Sequence, residues 1–168
     1  MINIKTCAFF GHRDCRMDKV EKEKLQYIVD KLITNHNVKR FLFGAESNFD
    51  RISYDICLNL KMKYDDISLV YCRAKNPNPT QDYIDRVSEF FDETICPQSV
   101  WNSGKNCYIV RNRYMIDESE YCIFYYQEGR NTSISKEYKT GRTIKTNSGT
   151  KIALEYAKNI GKVIINVS

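Results

Sequence analysis

Tyr121-Cys-Ile-Phe-Tyr-Tyr126, a polar stretch, and then Asn147-Ser-Gly-Thr150 leading into Lys151-Ile-Ala-Leu-Glu-Tyr-Ala-Lys158 decide the fold of this chain. The first run is apolar without alternation, as expected of a strand covered on both faces. The last run reads as an amphipathic helix. Between them lies a turn of small residues. A helix that starts in such a turn presents backbone N–H groups with no partner inside the helix, at the positive end of its dipole. An anion is favoured there. The sequence thus describes a strand feeding a helix N-terminus across a gap of phosphate size.

The same alternation extends outward. Thr6-Cys-Ala-Phe-Phe10 is a short apolar run stopped by Gly11. A helix opens at Met17 or Asp18 and runs to about Asn35, with Leu25, Ile28, Val29, Leu32 and Ile33 on one face. Phe41-Leu-Phe43 is a second strand, stopped by Gly44; Phe49, Ile52, Ile56 and Leu60 mark a second helix. Ile67 to Cys72 is a third strand. Ala74 to Thr80, with Pro77 and Pro79, is a loop, and Gln81 to Phe91 a short helix. Cys96 to Gly104 is irregular, with Trp101 as a packed anchor. A helix from Lys105 to Glu118 precedes the Tyr121 strand. The helix from Thr150 stops near Gly161, a residue suited to a left-handed C-cap, and Val163 to Val167 closes the chain. Strands alternating with helices predict an α/β fold: a Rossmann-like three-layer sandwich with a mostly parallel central sheet. No repeat or linker divides the 168 residues, so a single domain is expected.

Composition narrows the function classes. No apolar run approaches the roughly 20 residues that span a bilayer, so no membrane association is expected. The start of the chain lacks the layout of a signal peptide. Seven cysteines without a C-x-x-C read as buried, reduced thiols of a cytoplasmic protein. With His12 and His36 alone, and no ligand-pair spacing, neither a metal site nor another cofactor is expected. A net charge of +5 suits an anionic small ligand and falls short of a dense nucleic-acid-binding face.

In an open parallel α/β sheet, ligands bind beyond the carboxyl ends of the strands. That rule selects Gly11, His12 and Arg13 after the first strand, Gly44, Ala45, Asn48 and Asp50 after the second, and Arg73 after the third. It also selects Ser148, Gly149 and Thr150. Each has a plainer explanation: glycines that permit tight turns, a hydrogen-bonded structural histidine, solvated arginines, an ordinary N-cap. Their common position at strand ends favours a phosphate-bearing ligand. Arg111 and Arg113, on the helix before Tyr121, are either a solvated basic turn or a bidentate phosphate clamp. Asp50 either contacts a ribose hydroxyl or caps a helix.

Gln127 to Asn147 holds five cations, Arg130, Lys136, Lys139, Arg142 and Lys145, against Glu128 and Glu137, a local balance of +3. Thr132 to Ser135 and Thr143 to Thr146 read as a hairpin around Lys139-Thr-Gly141. The segment is either a basic flap over the ligand or a surface insertion.

Cys7-Ala-Phe-Phe-Gly-His-Arg13, Phe41-Leu-Phe-Gly44 with Phe49-Asp50, Arg111-Asn-Arg-Tyr-Met115, and Ser148-Gly-Thr150 with Gly161-Lys-Val-Ile-Ile165 occur in that order. Together they resemble the SLOG superfamily, which relates the DNA-processing protein Smf/DprA to the Lonely Guy phosphoribohydrolases. The nearest likeness is to its small single-domain members of bacteria and phages. The resemblance implies a Rossmann-like fold, a nucleotide-derived ligand and a homo-oligomer. The hydrolases of the group carry P-G-G-x-G-T-x-x-E, with an arginine upstream. Arg111 matches that arginine, and Gly149 and Thr150 match the G-T. The glutamate position is Ala153, and Thr146-Asn147-Ser148 replaces P-G-G. Glycosidic hydrolysis needs a carboxylate beside the ribose. The reading is therefore a sensor, carrier or sequestering protein for a nucleotide-derived small molecule. An N-glycosidase is the first alternative and single-stranded nucleic-acid binding the second.

Overall fold

The protein is described here by a computed structural model covering residues 3–129, 133–136, 143–146 and 148–168, with backbone alone for 133–136 and 143–146. The chain runs β1 (Lys5–Gly11), α1 (Lys19–His36), β2 (Val38–Phe43), α2 (Asn48–Lys61), β3 (Ser68–Cys72), α3 (Gln81–Ser88) and β4 (Glu93–Ile95). After two short 3-10 turns come α4 (Cys107–Asp117), β5 (Tyr121–Tyr125), β6 (Ser133–Lys136), β7 (Thr143–Thr146), α5 (Gly149–Asn159) and β8 (Val163–Asn166).

Six strands form one sheet in the order β4-β3-β2-β1-β5-β8, and every pairing in it is parallel. The mostly parallel, Rossmann-like α/β architecture is therefore present. Non-alternating apolar strands suit it because successive side chains point to opposite faces, and here both faces are covered. Cys7 and Phe9 of β1 join Phe41 and Phe43 of β2 in a core beneath α1 and α2. Ala8, Phe10, Leu42 and Phe124 point the other way, into a core closed by Met115 of α4 and by Ala153 and Ala157 of α5. Phe9 and Phe43 stack at 5.1 Å between ring centroids. Each ring removed from water is worth about 1.5–3 kcal/mol, which fixes these strands at the centre.

Local chemistry sets the helix ends. Asp18 caps α1 in a capping box with Glu21, and Asn37 takes the left-handed conformation that ends it. Ser47 and Asp50 form the same box on α2, and Ser148 caps α5. Gly161 is left-handed, as its place after α5 requires. The sequence missed β4, three residues at the sheet edge without an apolar signature. Trp101 was expected to be packed; it is half exposed, with its indole N–H donating to Cys96 O at 3.3 Å. The seven cysteines form no disulfide with one another, and six are buried. No helix among the described residues is long and apolar enough to cross a membrane.

β6 and β7 pair antiparallel, with Ser133 opposite Thr146 and Lys136 opposite Thr143, so the expected hairpin is present. The turn at Lys139-Thr-Gly141 and the basic side chains from Arg130 to Lys145 lie outside the described residues, and with them the flap reading.

Gly11 marks a close approach. A Cβ there would sit 2.4 Å from the Phe49 ring and its Cβ, because α2 packs directly on the end of β1. Gly11→Ala is expected to destabilise the fold by about 1–3 kcal/mol, as overpacking does. Urea denaturation checks this; an unchanged midpoint would mean that α2 yields without cost.

A cleft at the carboxyl ends of the strands

The sheet grows from β1 in two directions. β2, β3 and β4 extend one way, then the chain returns to lay β5 and β8 on the other side. At such a reversal the connecting loops diverge and leave a crevice. A cleft of about 550 Å³ opens there, lined by Phe9 to Asp14, Gly44, Glu46, Ser47, Asp50, Tyr108, Arg111, Asn112 and Ser148 to Thr150. The volume lies within the usual range for small-molecule sites.

The N-terminus of α5 forms one wall. Ser148 is extended at the cap and accepts from Lys151 N at 3.1 Å, while Ser148 O accepts from Ile152 N. The N–H groups of Gly149 and Thr150 belong to the first turn, where no carbonyl precedes them within the helix. Gly149 is exposed, and a Cβ there would meet nothing within 4 Å. Close approach to the backbone is therefore open.

Arg111 forms the floor. Its guanidinium is buried; Nη1 donates to Gly44 O at 3.0 Å and to Cys72 O at 3.1 Å, and Nε to Asn112 Oδ1 at 2.9 Å. The Tyr108 ring lies 5.7 Å from its Cζ. Gly44 matters for space: a Cβ there would fall 2.8 Å from Cζ and 2.9 Å from both terminal nitrogens. The left-handed residue of this turn is its neighbour, Ala45, at φ 58°.

Asp50 supplies a carboxylate. Its Oδ2 accepts from the backbone N–H groups of Glu46 (3.1 Å) and Ser47 (3.2 Å) and from the Ser47 hydroxyl (3.0 Å). Its Oδ1 is buried with no hydrogen-bond partner. Burial raises the Asp50 pKa above the usual carboxylate range, against the opposing pull of the Arg111 charge and of the N–H groups of Glu46 and Ser47. His12, almost fully buried, lines the cleft and accepts through Nε2 from Gln127 N at 3.0 Å, which pins the exit of β5 to that of β1. Arg13 lies exposed on the rim, and its carbonyl accepts from Asn48 N at 3.0 Å.

Of the residues expected at the site, Gly11, His12, Arg13, Gly44, Asp50, Arg111, Ser148, Gly149 and Thr150 line this cleft. Four do not. Arg73 follows β3, two strands from β1; its buried side chain turns to the sheet edge, with Nε on Thr94 Oγ1 at 2.9 Å and Nη1 on Asn76 O. Arg113 is two residues from Arg111, about 200° around the helix, and stacks on Tyr156 of α5. Asn48 is exposed beside the loop, and Ala45 faces a neighbouring cavity. Tyr108 and Asn112 of α4 also line the cleft and were not anticipated. The i, i+3 and i, i+4 spacing around Arg111 could have found Tyr108. Ala153, at the glutamate position of the hydrolase motif, is buried in the core, and Glu155 is exposed. The carboxylates lining the cleft, among the described residues, are Asp14, Glu46 and Asp50.

No protein-family model matches the chain, and no curated protein matches it. Solved structures do. DNA processing protein A of Streptococcus pneumoniae aligns with a TM-score of 0.60 at 13% identity, over 96% of this chain and 49% of that one. DNA processing protein A of Helicobacter pylori, solved for its single-stranded DNA binding mode, aligns at 0.56 and 14%, over 95% and 63%. The likeness is one of fold, and it agrees with the DprA side of the sequence resemblance. The chain spans about half to two thirds of the length of these neighbours.

Two outcomes are expected. Gly44→Ala should push the guanidinium off Gly44 O and Cys72 O, at about 1.5–3 kcal/mol for hydrogen bonds to a charged group. In an Arg111→Ala background the same change should cost little, and a double-mutant cycle by urea denaturation reads the difference. Sulfate keeps its charge between about pH 5 and about pH 8 and so reports on the protein's groups alone. A raised Asp50 pKa means that falling pH neutralises this carboxylate early. Sulfate affinity by calorimetry should then rise as pH falls, and the Asp50→Asn variant should lose that part of the dependence.

Proposed function

We propose that this protein binds a nucleotide-derived small molecule, with its phosphate at the N-terminus of α5 and its polar body over Arg111 and Asp50. The observation that carries the reading is the first turn of α5, Ser148 to Thr150, opening into a 550 Å³ cleft whose floor is a buried arginine. Two independent sources of positive potential meet there: the helix terminus and the guanidinium. Arg111 Nη2 has no hydrogen-bond partner among the described residues, so it is available to a ligand oxygen. Arg13 adds a second charge at the rim.

The lining is not uniformly basic. Asp14, Glu46 and Asp50 offset Arg13 and Arg111. A long polyanion is repelled by such a wall, whereas one phosphate followed by hydroxyl or amino donors is matched by it. This supports a small ligand over a polyanion; the buried Ala153 at the hydrolase glutamate position supports a sensor, carrier or sequestering role over a hydrolase. An N-glycosidase would have to recruit one of these loop carboxylates in place of the one missing from α5. Cytoplasmic location and homo-oligomerisation go with the reading as parts of the same proposal.

Single-stranded nucleic acid is the second reading, favoured by one observation: the Helicobacter neighbour was solved for its single-stranded DNA binding mode. It predicts affinity that falls steeply with salt.

Mass spectrometry of small molecules released from the purified protein, followed by calorimetry with nucleoside monophosphates, tests the first reading. Thr150→Ala and Arg13→Ala should each weaken nucleotide binding about three- to tenfold, near 0.7–1.4 kcal/mol. Arg73→Ala, whose side chain points away from the cleft, should leave it unchanged. Unchanged affinity in both of the first two variants would reject the assignment. Tight, salt-sensitive binding of a single-stranded oligonucleotide with no affinity for monophosphates would favour the second reading.

A further inference from the structure

A second cavity, of about 260 Å³, lies against the first. Half of its lining is aromatic, Phe43 from the end of β2, Tyr54 from α2, and Phe90 and Phe91 from the segment after α3, with Arg51 of α2 the cation beside them. Ser47 and Asp50 line both cavities, so the capped start of α2 is a shared wall. The aromatic pocket is rigid. Phe91 packs on Tyr54 at 5.0 Å and stacks on Tyr71 at 5.3 Å between ring centroids. The Tyr54 hydroxyl donates to Phe90 O at 2.6 Å, which fixes the backbone that carries Phe90. The Phe90 ring is 60% exposed, an unusual position for a large aromatic that a core would otherwise cover.

Two facts about the shared wall point to an occupant. Asp50 Oδ1 is a buried acceptor without a donor, while Oδ2 is saturated by three. Buried acceptors in this state want a partner. Ala45, lining the aromatic side, holds a left-handed φ of 58° that a non-glycine residue adopts at a cost. The 550 Å³ cleft alone is large enough for a mononucleotide, so the aromatic cavity is surplus to that ligand. Flat apolar walls with one exposed ring suit a second planar heterocycle, because every base offers a π-face to stack.

We propose that the aromatic cavity is a second base subsite, and that the ligand is a free dinucleotide: two bases joined through phosphate, one in the cleft and one against Phe90 and Phe91. Asp50 lies at the junction of the two subsites. This inference rests on the phosphate-binding reading of the cleft.

The test is calorimetry on the intact chain with an adenosine monophosphate, a 3′–5′ linked dinucleotide, a 5′–5′ pyrophosphate-linked dinucleotide and a single-stranded oligonucleotide. One of the two dinucleotides should bind about tenfold or more tightly than the monophosphate. Phe90→Ala should remove that advantage and leave monophosphate affinity intact, and Phe90→Trp should restore it. Phe90 is mostly exposed, so these variants are expected to fold, and circular dichroism confirms it. Equal affinity for mono- and dinucleotides overturns the subsite and leaves the phosphate reading standing, as does an equal loss of both in Phe90→Ala. An oligonucleotide that outcompetes both dinucleotides overturns the free dinucleotide as ligand. No binding of the monophosphate or of either dinucleotide overturns the phosphate reading and this inference together.

Discussion

The cleft at the strand ends is organised around the buried charge of Arg111. A guanidinium stays protonated in any protein environment. Taking it out of water costs several kcal/mol unless acceptors replace the lost hydration. Arg111 finds them in the carbonyls of Gly44 and Cys72, in Asn112 Oδ1, and in the field of Asp50. The consequences spread outward. α4 is fastened across the ends of β2 and β3. Residue 44 has to lack a side chain, and the turn places its left-handed backbone one residue later, at Ala45. Ser47 and Asp50 then cap α2 from that turn, which brings a carboxylate to the same cleft. Cleft, cap and buried charge form one unit.

Much of this was legible in the sequence for a physical reason. Strands buried on both faces have to be apolar at every position, and helix starts have to be capped, so the runs at Thr6–Phe10, Phe41–Phe43 and Tyr121–Tyr126 and the cap at Ser148 announced themselves. β4 did not, because an edge strand of three residues is under no such demand. The strand-end rule found most of the cleft and failed where it ignored distance from the reversal point. Arg73 sits at a strand end, but two strands from β1, where the loops no longer border the crevice. Arg113 failed for a simpler reason: residues two apart on a helix point in nearly opposite directions. Tyr108 was missed because the apolar pattern of its helix is uneven and marks no face; only its spacing of one turn from Arg111 places it at the cleft.

The two glycines of the motif also mean different things from what a turn signal suggests. Neither Gly11 nor Gly44 has a positive φ. Gly11 makes room for the Phe49 ring and thereby sets the distance between α2 and β1. Gly44 makes room for a charge. A glycine after a strand is usually read as conformational freedom; here both are demands for volume, which only the packed structure reveals.

The charge pattern of the cleft has its own logic. On the proposed reading a helix terminus and a buried arginine favour an anion at one end, and a carboxylate beside the arginine would weaken that attraction if fully ionised. Burial raises the Asp50 pKa and so moderates that opposition, while the Arg111 charge pulls it back down. On the same reading this balance suits one small volume to a phosphate at the backbone and guanidinium and to a hydrogen-bond donor beside Asp50. A polyanion tracking through the cleft would gain from the first and be repelled by the second. A phosphate attached to a sugar, on the proposed reading, uses both, and the arrangement then discriminates by ligand chemistry as well as by net charge.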